Sequence, residues 1–346
     1  MRSRSIARIV NTFVRRQFFP AWLAIPLIAA MLAACGGSAS PPNVGRIIMF
    51  GDSLSDLGTY KKVAIAAGVP NGGKFTVNPG PVWIENVASY YGLTISLNRT
   101  AGFGYAPVIE GGTGYAEGGA RVAEQPGSGN TDATAGVNSA ASTLPVKEQI
   151  NAHLSQKGAF NSSDLIFVWV GTNDVFRPIS FAPVAPEVGI AQVQKAADDL
   201  LIELQRLKAN GAQKMVVLNL DDWGKAPAAA ISPAVQAYAS TLSLAFNTRL
   251  KANLSSVSGV IQVDIQELFS DIRNNPGKYG LVNVTAPACL PSPLFSSYSA
   301  LCTTATLVAP NANNTYLYAD TVHYTDRANR IISDYVMAKI GTIFPK

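Results

Sequence analysis

Three observations predict an α/β fold with a mainly parallel central sheet for this chain. Four short, nearly continuous apolar runs, at 46–50, 165–170, 215–220 and 260–265, are rich in β-branched residues, as strands covered on both faces require. Longer segments with helical spacing alternate with them. The residues with the most chemical promise fall just after the runs, where loops leaving the carboxyl ends of parallel strands converge. The expected architecture has three layers, with helices on both sides of a flavodoxin-like sheet.

Residues 1–34 read as an export signal. Arg2, Arg4, Arg8, Arg15 and Arg16 precede an apolar stretch at 18–34, whose end gives Leu32-Ala33-Ala34-Cys35. A positive start, an apolar middle and a small-residue cleavage region are the parts of a secretory signal. The last four residues also resemble a bacterial lipobox, which makes Cys35 the expected lipidation site. The chain is therefore expected in the cell envelope, held at the outer membrane by that lipid; an ordinary signal with a chance cysteine is the alternative, and would leave it periplasmic or secreted. Pro20 and Pro26 count against a permanent transmembrane helix. Residues 35–45 form a short polar tether, and the folded domain is expected over 46–346.

With 48% hydrophobic and 14% charged residues among 346, the chain is too apolar for a disordered protein. Its 27 basic residues exceed its 22 acidic ones only through the five arginines of the signal. The rest is balanced, so a basic nucleic-acid-binding surface is not expected. With Cys35 in the lipobox, Cys289 and Cys302 remain as a pair 13 positions apart. In an oxidising compartment such a pair is readily bridged, which contributes roughly 3 kcal/mol in the chain-entropy model. A zinc site is the competing reading, but neither histidine lies near the pair.

The segment 193–207 carries apolar residues at 193, 196, 197, 200, 201, 204 and 207, a helical stripe ending at Asn210-Gly211. Further helices are expected at 235–254 and 327–340. Residues 101–142, dominated by Gly, Ser, Thr and Ala, read as long surface loops.

The chain has two histidines, His153 and His323. Serine chemistry at neutral pH usually needs an imidazole to take the hydroxyl proton. His153 lies in an amphipathic helix opening at Pro145 and reads as a helix-surface residue. His323 follows Asp320 by three positions, and an aspartate so placed can fold back to hold the ring N–H. Ser53, in Phe50-Gly51-Asp52-Ser53-Leu54, leaves the first strand where backbone N–H groups are unsatisfied; a helix cap is the plainer alternative. Gly-x-Ser-x-Gly is absent there, which speaks against the common α/β-hydrolase lipases. Asn173, in Gly171-Thr172-Asn173-Asp174, follows another strand and can aim its carboxamide at developing negative charge. The glycines of Gly118-Gly119-Ala120-Arg121 allow close approach of the backbone to a ligand.

In this order the four blocks resemble the SGNH or GDSL family of ester hydrolases over nearly all of the chain from residue 46. The resemblance implies the SGNH hydrolase fold, Ser53 as nucleophile, His323 as its base and Asp320 behind the histidine. It also implies an oxyanion hole made by Ser53, Gly119 and Asn173, with Gly118 one residue away from the second role. Two departures stand out: family members often carry Asn where this chain has Gly114, and Pro where it has Tyr324. The Gly-Gly-Ala-Arg block and late cysteine pair look most like bacterial esterases related to autotransporter passengers, with a lipid on Cys35 expected to anchor the chain in place of a barrel. No metal or cofactor enters the implied chemistry. The expected partners are a small-molecule or lipid ester and, through the lipid, a membrane; the chain is expected to act as a monomer. An acyltransferase or phospholipase using the same site is the nearest alternative, and a non-catalytic envelope lipoprotein a more distant one. Phe103, Tyr105, Tyr115, Phe176 and Phe181 are candidates to line an acyl site.

Overall fold

A computed structural model of the chain describes residues 44–129, 141–181, 184–292 and 298–346. The expected export signal, Cys35 and most of the expected tether lie outside the described residues. In chain order the elements are β1 (Arg46–Gly51), α1 (Lys61–Ala66), α2 (Trp83–Tyr90), β2 (Arg99–Gly102), β3 (Tyr105–Ile109), α3 (Val146–Lys157), β4 (Asp164–Trp169), α4 (Thr172–Phe176) and α5 (Pro186–Ala209). There follow β5 (Lys214–Leu218), α6 (Pro233–Leu254), β6 (Val260–Val263), α7 (Ile265–Asn274), β7 (Asn283–Pro287), α8 (Ala312–Thr315), β8 (Tyr316–Tyr318) and α9 (Asp326–Ile340).

The central sheet runs β1-β4-β5-β6, every pair parallel. All residues of β4 and β5 are buried, so both faces of the sheet are covered there, as the unbroken apolar runs require, whereas in the edge strand β6 only Val263 is buried. One face is visible in the packing of α2, where Trp83 meets Phe167 and Trp169 edge-on. Those two residues alternate along β4 and therefore share a face.

The other edge of β1 is also occupied. Met49 N–H donates to Thr113 O at 3.0 Å, Tyr115 N–H to Met49 O at 2.8 Å and Glu117 N–H to Gly51 O at 3.1 Å. The chain thus leaves β1 to pair on one side and returns through β4 on the other. Strand order reverses at β1, and a crevice opens at the carboxyl end of such a strand. Ser53 lies two residues beyond that end.

The long helices begin where their caps allow. Ser232 Oγ accepts Val235 N–H at 3.2 Å ahead of Pro233 in α6, and Thr325 Oγ1 accepts Ala328 N–H at 3.3 Å ahead of α9. Helix α5 starts at Pro186, a full two turns before the apolar stripe announces it. Its first turns carry exposed residues and so lack that signal.

The Gly-rich stretch expected to be all loop contains the hairpin β2–β3. Phe103 and Gly104 make its two-residue turn with φ of 53° and 88°, the left-handed pair that tight hairpins favour. Cys289 and Cys302 are joined by a disulfide, with Cα atoms 5.9 Å apart. The two departures from the family pattern have packing reasons. A side chain at Gly114 would meet Leu57 Cδ1 at 2.4 Å. Tyr324 is fully buried and stacks against Phe269 at 4.6 Å and Tyr318 at 5.7 Å, serving as a core residue.

Candidate active site

The site begins with how β1 ends. A Cβ on Gly51 would fall 2.3 Å from Trp169 O, so only glycine lets β1 and β4 approach there. Gln149 of α3 then grips both backbone groups of Gly51: Oε1 accepts the N–H at 2.9 Å and Nε2 donates to the carbonyl at 2.8 Å. Asp52 turns the chain by accepting Leu54 N–H at 3.1 Å, and Ser53 opens a short 3-10 turn. The serine is thereby fixed at the crevice, with only 5% of its surface exposed.

His323 arrives from β8 on a turn that Asp320 organises. Asp320 Oδ1 accepts the backbone N–H of Val322 at 2.9 Å and of His323 at 2.8 Å, folding the segment back on itself. Both carboxylate oxygens then lie 2.9 Å from His323 Nδ1, and His323 Nε2 lies 2.7 Å from Ser53 Oγ. An ionised carboxylate only accepts, so Nδ1 carries the proton and Nε2 is free to accept from the serine hydroxyl. Burial by itself would raise the Asp320 pKa; the His323 charge and hydrogen bonds from His323 and Ser299 outweigh it and hold the carboxyl well below the usual range. Phe75 stacks on the imidazole at 4.7 Å and limits its rotation.

Opposite the histidine lie the donors. Gly118 N–H is engaged by Asp56 Oδ2 at 2.7 Å, whereas the N–H groups of Gly119 and Ser53 have no acceptor among the described residues. Gly119 holds φ at 79°, and a Cβ there would fall 2.1 Å from Ser128 O. Asn173 Nδ2 donates one hydrogen to Ala120 O at 2.9 Å and keeps the other. Behind them Asp174 joins the two loops, accepting Arg121 Nε at 3.0 Å and Val122 N–H at 3.1 Å. Ser53, Gly119, Asn173 and His323 share the wall of a pocket of about 200 Å³, whose apolar side includes Phe75, Phe103, Phe176 and Val322. A base poised on a hydroxyl, with unengaged N–H groups alongside, can carry out acyl transfer. Among the described residues no cluster of three or more His, Cys, Asp or Glu is gathered as metal ligands.

Residues 47–336 match the GDSL-like lipase/acylhydrolase family. The chain belongs to that family. It is 30% identical over 265 residues to a phosphatidylcholine-sterol acyltransferase of Aeromonas hydrophila, covering 72% of this chain and 67% of that protein. It is 28% identical to esterase EstA of Pseudomonas aeruginosa over 91% of this chain, and spans 50% of EstA's length. A solved acetylxylan esterase of Geobacillus stearothermophilus overlaps at a TM-score of 0.42 and 12% identity, covering 87% of this chain and 97% of that one. The expected class, a carboxylic ester hydrolase of the GDSL family, stands on the family match.

The structure brings together Ser53, His323, Asp320, Gly119 and Asn173 of this GDSL chain, and leaves His153 apart. That histidine is no helix-surface residue. It is fully buried, stacked on Phe160 at 4.3 Å and bonded through Nδ1 to Tyr115 OH at 3.1 Å, and burial pushes its pKa down to about 4. Of the aromatic candidates Phe103 and Phe176 line the pocket, Tyr105 is exposed on the hairpin, and Tyr115 packs in the core against Phe50. The side chain of Phe181 lies outside the described residues. Sequence reasoning missed Phe75, Gln149 and Ser299. Gln149 alone left a signal: with Val146, Ile150 and His153 it occupies the buried stripe of α3, where a polar residue needs a partner.

Proposed function

We propose that the chain is an exported serine ester hydrolase that works through an acyl-enzyme on Ser53. The observation that carries this reading is the 2.7 Å approach of His323 Nε2 to Ser53 Oγ at the wall of a half-apolar pocket. Ser53 Oγ attacks the ester carbonyl while His323 Nε2 takes its proton and Asp320 stabilises the imidazolium. The oxyanion accepts hydrogen bonds from the N–H groups of Ser53 and Gly119 and the second N–H of Asn173. The C–O bond breaks as His323 returns the proton to the alcohol. Water then attacks the acyl-enzyme by the same route, giving the acid and free Ser53. The aromatic side of the pocket receives the acyl portion of an ester or lipid.

A fluorophosphonate that labels active serines tests the nucleophile. Labelling of the parent and none of Ser53→Ala is expected; labelling that survives in Ser53→Ala removes Ser53 from the role. Acyl-chain preference follows from initial rates over a chain-length series of chromogenic esters.

The likeness to an enzyme named phosphatidylcholine-sterol acyltransferase favours one second reading, transfer of the acyl group to an alcohol other than water. Product analysis with a competing alcohol separates the two, since transfer yields a new ester. For placement, we propose export through residues 1–34 and anchoring as a monomer at the outer membrane by a lipid on Cys35. Cys35→Ser should move the protein from the membrane to the soluble fraction, and unchanged fractionation would count against the anchor.

A further inference from the structure

A second cavity, of about 250 Å³, opens between the 121–124 loop, the turn after α4, and α5. Its charged lining is Arg121, Glu124, Arg177, Lys195 and Asp199, and none of these lines the catalytic pocket. The acids beside it are already engaged. Lys195 Nζ donates to Glu124 Oε1 at 2.9 Å and to Asp199 Oδ2 at 2.6 Å. Asp174 is held by Arg121 Nε and the Val122 N–H.

Arg177 is left over. Its guanidinium makes no hydrogen bond or ion pair among the described residues, and Nη1 is sealed from solvent without an acceptor. Burial, and then the charge of Arg121, push its pKa down, the direction for a cation lacking its counter-ion. Arg121 contributes in turn, because it grips Asp174 through Nε while its terminal amino groups make no hydrogen bond among the described residues. A guanidinium N–H withdrawn from water is costly unless an acceptor meets it, and planar guanidinium forks match the oxygens of phosphate groups.

We propose that this cavity binds a small oxyanion of the phosphate class between the guanidinium groups of Arg177 and Arg121. Two forks converging on one cavity suit an anion with more than two acceptor oxygens better than a carboxylate. The ligand is either free phosphate or the phosphodiester of a lipid headgroup, since both present the same oxygens. The cavity shares no lining residue with the Ser53 pocket, and binding there does not require the Ser53 hydroxyl.

Titration calorimetry of the full chain at constant ionic strength, with chloride as the reference anion, tests the assignment. Inorganic phosphate or glycerophosphocholine should bind at a single saturable site. Whichever binds more tightly names the source, free phosphate or headgroup. Arg177→Gln should weaken that binding by about tenfold or more, the loss of charge-assisted hydrogen bonds, while Ser53→Ala should titrate like the parent. Should Arg177→Gln fail to fold, Arg177→Lys keeps the charge and loses the fork, and should also bind more weakly. No saturable binding of either anion, or parental affinity in the folded Arg177 variants, overturns the proposal.

Discussion

Ser299 holds Asp320 alongside His323, its backbone N–H reaching Asp320 Oδ2 at 3.1 Å and its hydroxyl the same oxygen at 2.6 Å. Ser299 sits inside the loop closed by Cys289 and Cys302. Asn78 ties the same loop down, donating from Nδ2 to Ser299 O at 3.0 Å and from its backbone N–H to Cys302 O at 2.8 Å. The disulfide therefore belongs to the chain of contacts that orients the proposed base, besides crosslinking the fold.

Ser299→Ala should lower kcat by roughly tenfold with little change in KM, because it removes a hydrogen bond to a charged group and leaves substrate contacts alone. Steady-state kinetics on a soluble chromogenic ester reads this split. A parental kcat would mean that the hydroxyl is dispensable, with Asp320 held by His323, the 320–323 turn and the Ser299 backbone N–H.

Cys289→Ser with Cys302→Ser should destabilise the fold by roughly 3 kcal/mol, a fall in Tm of about 5 °C for a domain of this size. Activity should fall at temperatures well below that Tm, as the Ser299 loop loosens ahead of the sheet. A thermal melt together with an activity–temperature curve on the same preparation tests both parts.

Asn173→Ala should reduce kcat by about a hundredfold or more and leave KM near its parental value, since the donor matters once the carbonyl oxygen becomes an anion. Loss of the Ala120 contact is a separate, structural effect, so the Tm of the variant is measured alongside. A stable variant with near-parental kcat would take Asn173 out of the oxyanion hole.

The parts of this fold legible in the sequence are those whose cause is local. Strands β1, β4 and β5 announce themselves because burial on both faces leaves no polar residue to interrupt them. The core of α5 shows its stripe, while its exposed first turns do not. The catalytic candidates were legible for a different reason, namely that one of two histidines follows an aspartate by three positions and four blocks match a family in order. What stayed hidden acts across sequence distance. Gln149 meets Gly51 from 98 positions away and Ser299 meets Asp320 from 21, and no periodicity encodes either contact. His153 was misplaced because a histidine on an amphipathic helix reads as polar, whereas Phe160, Tyr115 and Phe50 enclose it.

Asp52, next to Ser53, gives the protein a pH dependence whose sign follows from burial. It is fully buried, and its Oδ2 has no hydrogen-bond partner. Burial, only partly offset by the Leu54 N–H and the charge of His323, pushes its pKa up from 3.8 to about 7. An acid with a raised folded-state pKa keeps its proton where the unfolded chain has released it. Its contribution to stability is therefore greatest below the unfolded pKa and is lost as pH rises towards 7. Asp52→Asn mimics the protonated form at every pH. Its Tm advantage over the parent should be small near pH 4, grow through the window between 4 and 7, and level off above it. Asp320 has the opposite sign, because its lowered pKa supports the fold at neutral pH and loses that contribution in acid. Melts of parent and Asp52→Asn from pH 4 to 9 separate the two, since the difference curve cancels Asp320. A difference curve that is flat, or that falls with pH, would mean Asp52 is ionised in the folded protein.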